Sequence, residues 1–198
     1  MIGWMQNWDT CNLHSPNRPW FGQMSLPREL SVKNGRLIQK PVRELEKMRR
    51  NRVAYEHVVF ADKISLDGVK GRRIDLELTL RPADDSEIYR KFAIRFAQND
   101  ICHTAVSFRP HESILKIDRK FSGSRRAIIH QRRSFVGGRD GKIRLRIILD
   151  NFSAELFVND GEQVLTATIY TDLSAEGISF YVDGKAEIDV VKYDLTAE

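Results

Sequence analysis

The residues of this 198-residue chain that could do chemistry are five histidines, two cysteines and a scatter of carboxylates. His14, His57, His103, His111 and His130 show neither the His-x₃-His nor the His-Glu-x-x-His spacing of a zinc site, so no metal is expected. Cys102 and His103 are adjacent in an expected strand, where neighbouring side chains leave opposite faces. A thiol and an imidazole so placed do not make a nucleophile–base pair. Asp84 with Asp85, and Asp160 with Glu162, are carboxylate pairs that acid/base chemistry could use. Glycoside hydrolysis needs two such groups facing each other across a pocket, one with a raised pKa. Both pairs fall instead in polar turns, where Asp supplies turn hydrogen bonds. Gly137-Gly138-Arg139-Asp140-Gly141 opens no helix, so it reads as a hairpin loop and not a phosphate cradle. Asn151-Phe152-Ser153 matches a glycosylation sequon, which carries meaning only in a eukaryotic secretory protein. No catalytic residue, metal site or cofactor is expected within the chain.

The net charge of +5 resides in residues 1–50, which hold nine Lys/Arg against four Asp/Glu; residues 51–198 hold 23 of each. Strands that alternate both signs are a solvated surface, and the arginine pairs Arg125-Arg126 and Arg132-Arg133 read as solvated loops. Nucleic acid is not an expected partner. Cys11 and Cys102 stand far apart without a Cys-x-x-Cys pattern and are read as free thiols. No run approaches the ~20 apolar residues of a membrane-spanning helix, and no basic-then-apolar leader precedes the first tryptophan. A membrane partner is therefore not expected, and a cytoplasmic location is marginally favoured.

Period-two alternation dominates the chain after residue 52. Ile74, Leu76, Leu78 and Leu80 alternate with Asp75, Glu77 and Thr79. Phe92, Ile94 and Phe96 repeat the pattern, as do Ile143, Leu145, Ile147 and Leu149. Further strands are expected at 102–108, 113–118, 153–158, 163–170, 177–182 and 185–195, with turns at Asp140-Gly141, Asp160-Gly161 and Asp183-Gly184. One-sided burial in at least nine strands predicts two antiparallel sheets packed face to face over 52–198. Residues 42–52, after Pro41, read as a short polar connecting helix. Before it, Asn34-Gly35 signals a type I′ hairpin, and residues 1–41 make about three strands, too few to enclose a core.

All three tryptophans, Trp4, Trp8 and Trp20, lie in those first residues. The stretch IGWMQNWDT, followed by WFGQMSLPRELSVKNGRLIQKPVREL, closely resembles the end of the catalytic domain of glycoside hydrolase family 32. That family includes invertases, sucrose-6-phosphate hydrolases, inulinases and levanases. LKIDRKFSG, LRIILDNFSAELFVNDGEQVLTATIY and GISFYVDGKAEIDVVKYDL resemble the family's C-terminal β-sandwich, so the likeness runs along essentially the whole chain.

The resemblance implies an all-β chain: residues 1–41 as a remnant of the last blade of a five-bladed β-propeller, 42–51 as connector, and 52–198 as the C-terminal β-sandwich. It implies a retaining fructosidase as the parent. The family's catalytic motifs, Trp-Met-Asn-Asp-Pro-Asn-Gly, Arg-Asp-Pro and a Glu beside a Cys, are absent; Arg139-Asp140 is followed by Gly141, and Asp9-Thr10-Cys11 has the wrong acid and spacing. The chain alone is expected to be inactive, with Met1 an internal methionine of a longer parent. Trp8 is the residue the resemblance assigns to the fructose pocket, with Trp4 and Trp20 as packing. Expected partners are the missing propeller, in cis or as a separate chain, and a fructoside only in the intact enzyme. A homodimer through the sandwich or through exposed strand edges is a further candidate. The alternatives are a stand-alone carbohydrate-binding sandwich, disfavoured by the lack of tryptophan after Trp20, and a sandwich that docks on a separately encoded propeller.

Overall fold

The computed structural model describes residues 1–5, 22–84, 87–123 and 130–196. Strands β1 (Arg28–Lys33) and β2 (Arg36–Pro41) form the expected hairpin, Lys33 pairing with Arg36 across a two-residue turn. Asn34 (φ 51°) and Gly35 (φ 73°) both take the positive φ that such a turn requires. The connector is shorter than expected: residues Arg43–Met48 form a 3₁₀ helix, not an α-helix reaching 52, and β3 (Arg49–Ile64) starts at once. Two 3₁₀ turns suffice to bury Leu45, and Arg49 is already paired with Leu195 in the sheet.

The remaining strands are β4 (Ile74–Pro82), β5 (Lys91–Gln98), β6 (Thr104–Arg109), β7 (Ile114–Asp118), β8 (Gln131–Phe135), β9 (Ile143–Asp150), β10 (Ser153–Val158), β11 (Gln163–Thr168) and β12 (Gly177–Leu195). Every strand pairing is antiparallel. Two sheets share one long strand. The second half of β12 continues the front sheet, β11-β10-β9-β4, and its first half continues the back sheet, β8-β7-β6-β5. β3 runs beside β12 along both halves. Between the sheets lies a core that includes Ile74, Leu76, Leu80, Phe92, Ile94, Phe96, Phe108 and Phe180, all excluded from solvent. This is the β-sandwich expected from the alternation.

Asp183-Gly184 is not a turn. It lies within β12, where the register against β3 shifts between Val182 and Lys185 and the strand leaves β5 for β4. Gly184 has φ +112°, and a Cβ there would lie 3.1 Å from Tyr89 Cα. A bulge bends a strand without ending it, which is how β12 turns the corner between sheets. Gly137–Gly141 is likewise no hairpin loop, because it carries the chain from β8 in the back sheet to β9 in the front sheet. Tyr89 Oη anchors it by donating to the Gly141 carbonyl at 2.6 Å.

Candidate functional site

All six residues of β10 are buried, although alternation sends only Ala154, Leu156 and Val158 into the core. Glu155 and Phe157 face outward and are covered by the N-terminal segment. Leu45 packs with Ile148, Phe157 and Leu195, and Leu26 and Met48 close the cluster. Glu155, 2% exposed, accepts hydrogen bonds from the Leu26 amide at 2.5 Å and from Arg28 Nε at 3.2 Å, and forms an ion pair with Arg28 Nη2. Arg28 also donates to Gln39 Oε1 (3.1 Å) and Thr166 Oγ1 (2.5 Å), and its guanidinium lies 5.5 Å from the Phe157 ring centre. A buried carboxylate is tolerated only when so fully partnered. At the far end, a Cβ on Gly161 would come 2.0 Å from the Gln39 carbonyl oxygen, so the hairpin backbone rests directly on the β10–β11 turn.

Beside this covered strip a cleft of about 370 Å³ opens between the hairpin and the front sheet, lined by Lys40, Glu77, Arg144, Arg146, Asp160 and Asp189 among others. Most of its charges are paired with neighbours. Asp75, wholly buried, is held by Arg49 (2.8 and 2.6 Å) and Arg146 (3.0 and 2.7 Å), while Glu77 pairs with Arg49 and Arg144 with Asp160. The Arg49 guanidinium lies 4.4 Å from the Tyr193 ring centre.

Further along the face His57, Glu187 and Asp189 bring three ligand atoms within 4.8 Å of one another, a disposition that could hold a metal ion. Arg81 already fills that role. Its Nη1 lies 2.5 Å from Asp189, and its Nη2 bonds Glu187 (2.5 Å) and sits 2.9 Å from His57 Nδ1. The Arg81 hydrogen bond holds the Asp189 carboxyl below the usual range, and the hydrogen bonds from His57 and then Arg81 do the same for Glu187. A general acid in a glycosidase needs the opposite shift. This arrangement ties β3, β12 and β4 together across the sheet.

The other residues considered from the sequence fall apart in space. Cys102 is a buried free thiol 3.2 Å from Asn99 Oδ1, while the His103 ring stacks on Phe121 with centres 5.3 Å apart. Asp84 bridges to Glu87, and Asp160 takes φ +61° in the β10–β11 turn. Trp4, bridged to Met24, is about half exposed. Trp8, Trp20, Cys11, His14, Asp85, Arg125 and Arg126 lie outside the described residues. The Arg28–Glu155 contact is not apparent from the sequence pattern. Its one trace is apolar side chains at outward positions, Ile148 and Phe157, which signal that the wet face has a cover.

Fold and site define a β-sandwich with an N-terminal hairpin docked on its front sheet. Residues 44–197 match the family described as glycosyl hydrolases family 32 C terminal, and residues 1–41 match the glycosyl hydrolases family 32 N-terminal domain. The chain belongs to glycoside hydrolase family 32. It is 29% identical to a sucrose-6-phosphate hydrolase of Staphylococcus xylosus over 201 residues, covering 100% of this chain and 39% of that protein. It is 31% identical to a levanase of Bacillus subtilis over 194 residues, covering 91% of this chain and 28% of the relative. The exo-inulinase of Aspergillus awamori superposes with a TM-score of 0.82 at 20% identity, over 99% of this chain and 40% of that one. The sucrose-6-phosphate hydrolase of Lactobacillus gasseri gives 0.75 at 22% identity, over 98% and 38%. The chain thus spans well under half the length of these relatives.

Proposed function

We propose that the chain acts as the C-terminal part of a retaining, fructoside-cleaving glycoside hydrolase, bracing a β-propeller that carries the catalytic carboxylates. The observation that carries this reading is the hairpin locked to the front sheet through Arg28 and Glu155. A contact so fully partnered is what a rigid joint between catalytic and supporting domains requires. In this reading residues 1–41 belong to the propeller, 42–51 connect, and 52–198 form the sandwich, with its strand pairing already begun at Arg49. Met1, Ile2, Trp4, Met24, Val32 and Leu37 are exposed on the hairpin side, an apolar surface of the kind that neighbouring propeller strands would cover. The propeller joins either as one continuous polypeptide or as a separate chain.

The relatives named for sucrose 6-phosphate and levan support a fructoside substrate in the assembled enzyme, with Trp8 lining the fructose pocket. The chain alone lacks the family's nucleophile and acid/base, groups whose loss removes many orders of magnitude in rate. Purified from a host without invertase, it is expected to release no fructose from sucrose, sucrose 6-phosphate or inulin. Activity should appear when a family propeller bearing the three carboxylates is joined upstream of Met1, and Trp8→Ala in that assembly should raise KM. Turnover by the chain alone would refute the proposal.

A further inference from the structure

The outward side chains of four back-sheet strands gather five cations: Lys91 and Arg95 from β5, Arg109 from β6, Lys116 from β7 and Arg133 from β8. Ser107 is paired with Ala93 on one side and Lys116 on the other, and Lys116 in turn with Arg133. A pit of about 40 Å³ opens between Ser107, Arg109, Ile114, Lys116 and Arg133, with Glu112 also in its wall. Ser107 is only 6% exposed, yet it lines the pit and its hydroxyl has no hydrogen-bond partner among the described residues. That hydroxyl keeps its donor and acceptor capacity for a group entering the pit.

The local carboxylates are already engaged. Glu112 accepts from Arg109 at 2.9 Å, and Asp118 accepts from Lys116 at 3.1 Å and Gln131 at 2.7 Å. Among the described residues no carboxylate forms an ion pair with Lys91 or Arg133. Burial, then the charges of Arg109, Lys116 and Arg95, push the Lys91 ammonium below its ordinary pKa, against the single opposing charge of Asp183. Ala93 and Ala105 keep the floor low. One strand beyond Ala93 stands Tyr181, 41% exposed. Two strand spacings of about 4.8 Å separate Tyr181 from Ser107, a span of ~10 Å that matches a phosphorylated monosaccharide.

We propose that this face is an oxyanion site for a phosphoryl group carried on a sugar, the phosphate held by Ser107, Arg109, Lys116 and Arg133 and the sugar ring directed past Ala93 toward Tyr181. Phosphate recognition by convergent Arg, Lys and hydroxyl donors follows ordinary charge-assisted hydrogen bonding. The site is independent of fructoside cleavage, and its test needs no activity.

Calorimetric titration of the full chain at constant ionic strength should show saturable binding of fructose 6-phosphate, at least about tenfold tighter than fructose. Ser107→Ala and Arg133→Gln should each weaken it by about fivefold or more while leaving the circular dichroism spectrum and melting temperature unchanged. Arg144→Gln, a cation removed from the front sheet, should leave binding as it was. Inorganic phosphate binding as tightly as the sugar phosphate would support the oxyanion site and assign it to the free ion. Fructose binding as tightly as its phosphate, no saturation by either phosphate, or an equal loss with Arg144→Gln would each overturn the proposal.

Discussion

On the front sheet the outward charges come in closed sets: Asp75 between Arg49 and Arg146, Glu155 beneath Arg28, Glu187 and Asp189 on Arg81. On the back sheet five cations share a face on which Lys91 and Arg133 have no carboxylate partner among the described residues. The same fold therefore carries one face prepared for burial and one prepared for water or for an anion. A charge taken out of water must be matched by a neighbour, while a charge left in water need not be. Charge matching, more than apolar content, distinguishes the face that the N-terminal hairpin covers.

The largest test of this contrast is Glu155→Ala, which leaves Arg28 buried without its carboxylate and should cost about 3–5 kcal/mol. Thermal unfolding would measure it, and trypsin should cut faster at Lys33 and Arg36 as the hairpin loosens. A loss below about 1 kcal/mol would show that the joint is held by apolar contact instead. Next comes Leu45→Ala, expected to cost about 2 kcal/mol because its cluster on the front face is small. Smaller again is the effect of acid. Asp189 and Glu187 titrate below their unfolded values, so their stabilising contribution is complete above about pH 4.5 and disappears as the pH falls through their folded values. Added salt should weaken that dependence, since both groups are near solvent. Smallest is Arg133→Gln on the back sheet, expected to change stability by no more than about 0.5 kcal/mol without ligand. A large loss there would mean that the open face is structural after all.

The two faces were also unequally legible in the sequence. β4, β5 and β9 announce themselves because one side of each strand is core and the other is polar. β3 stayed hidden: Asn51 (φ 48°) and His57 (φ 55°) each add a residue where the register against β12 shifts, and each insertion breaks the alternation. β8 stayed hidden because QRRSF, at the sheet edge, buries almost nothing. An Asp-Gly pair spells a turn at Asp160-Gly161 and a bulge at Asp183-Gly184, and only the partner strands distinguish them. The joint rests on Arg28 and Glu155, separated by 127 residues, and the basic face on positions from 91 to 133. Contacts of that range leave no local pattern. The resemblance, not periodicity, links the hairpin to the family's N-terminal domain.

The sharing of β12 between both sheets has a consequence for how the protein is made. The two sheets are not joined until residues 177–195 have been synthesised, and β3, which pairs with β12 along both halves, precedes it by more than a hundred residues. On a ribosome β4 and β9 to β11, and likewise β5 to β8, can pair among themselves, while β3 must wait for β12. The last strand to be made is thus the one that joins the two sheets into a single body.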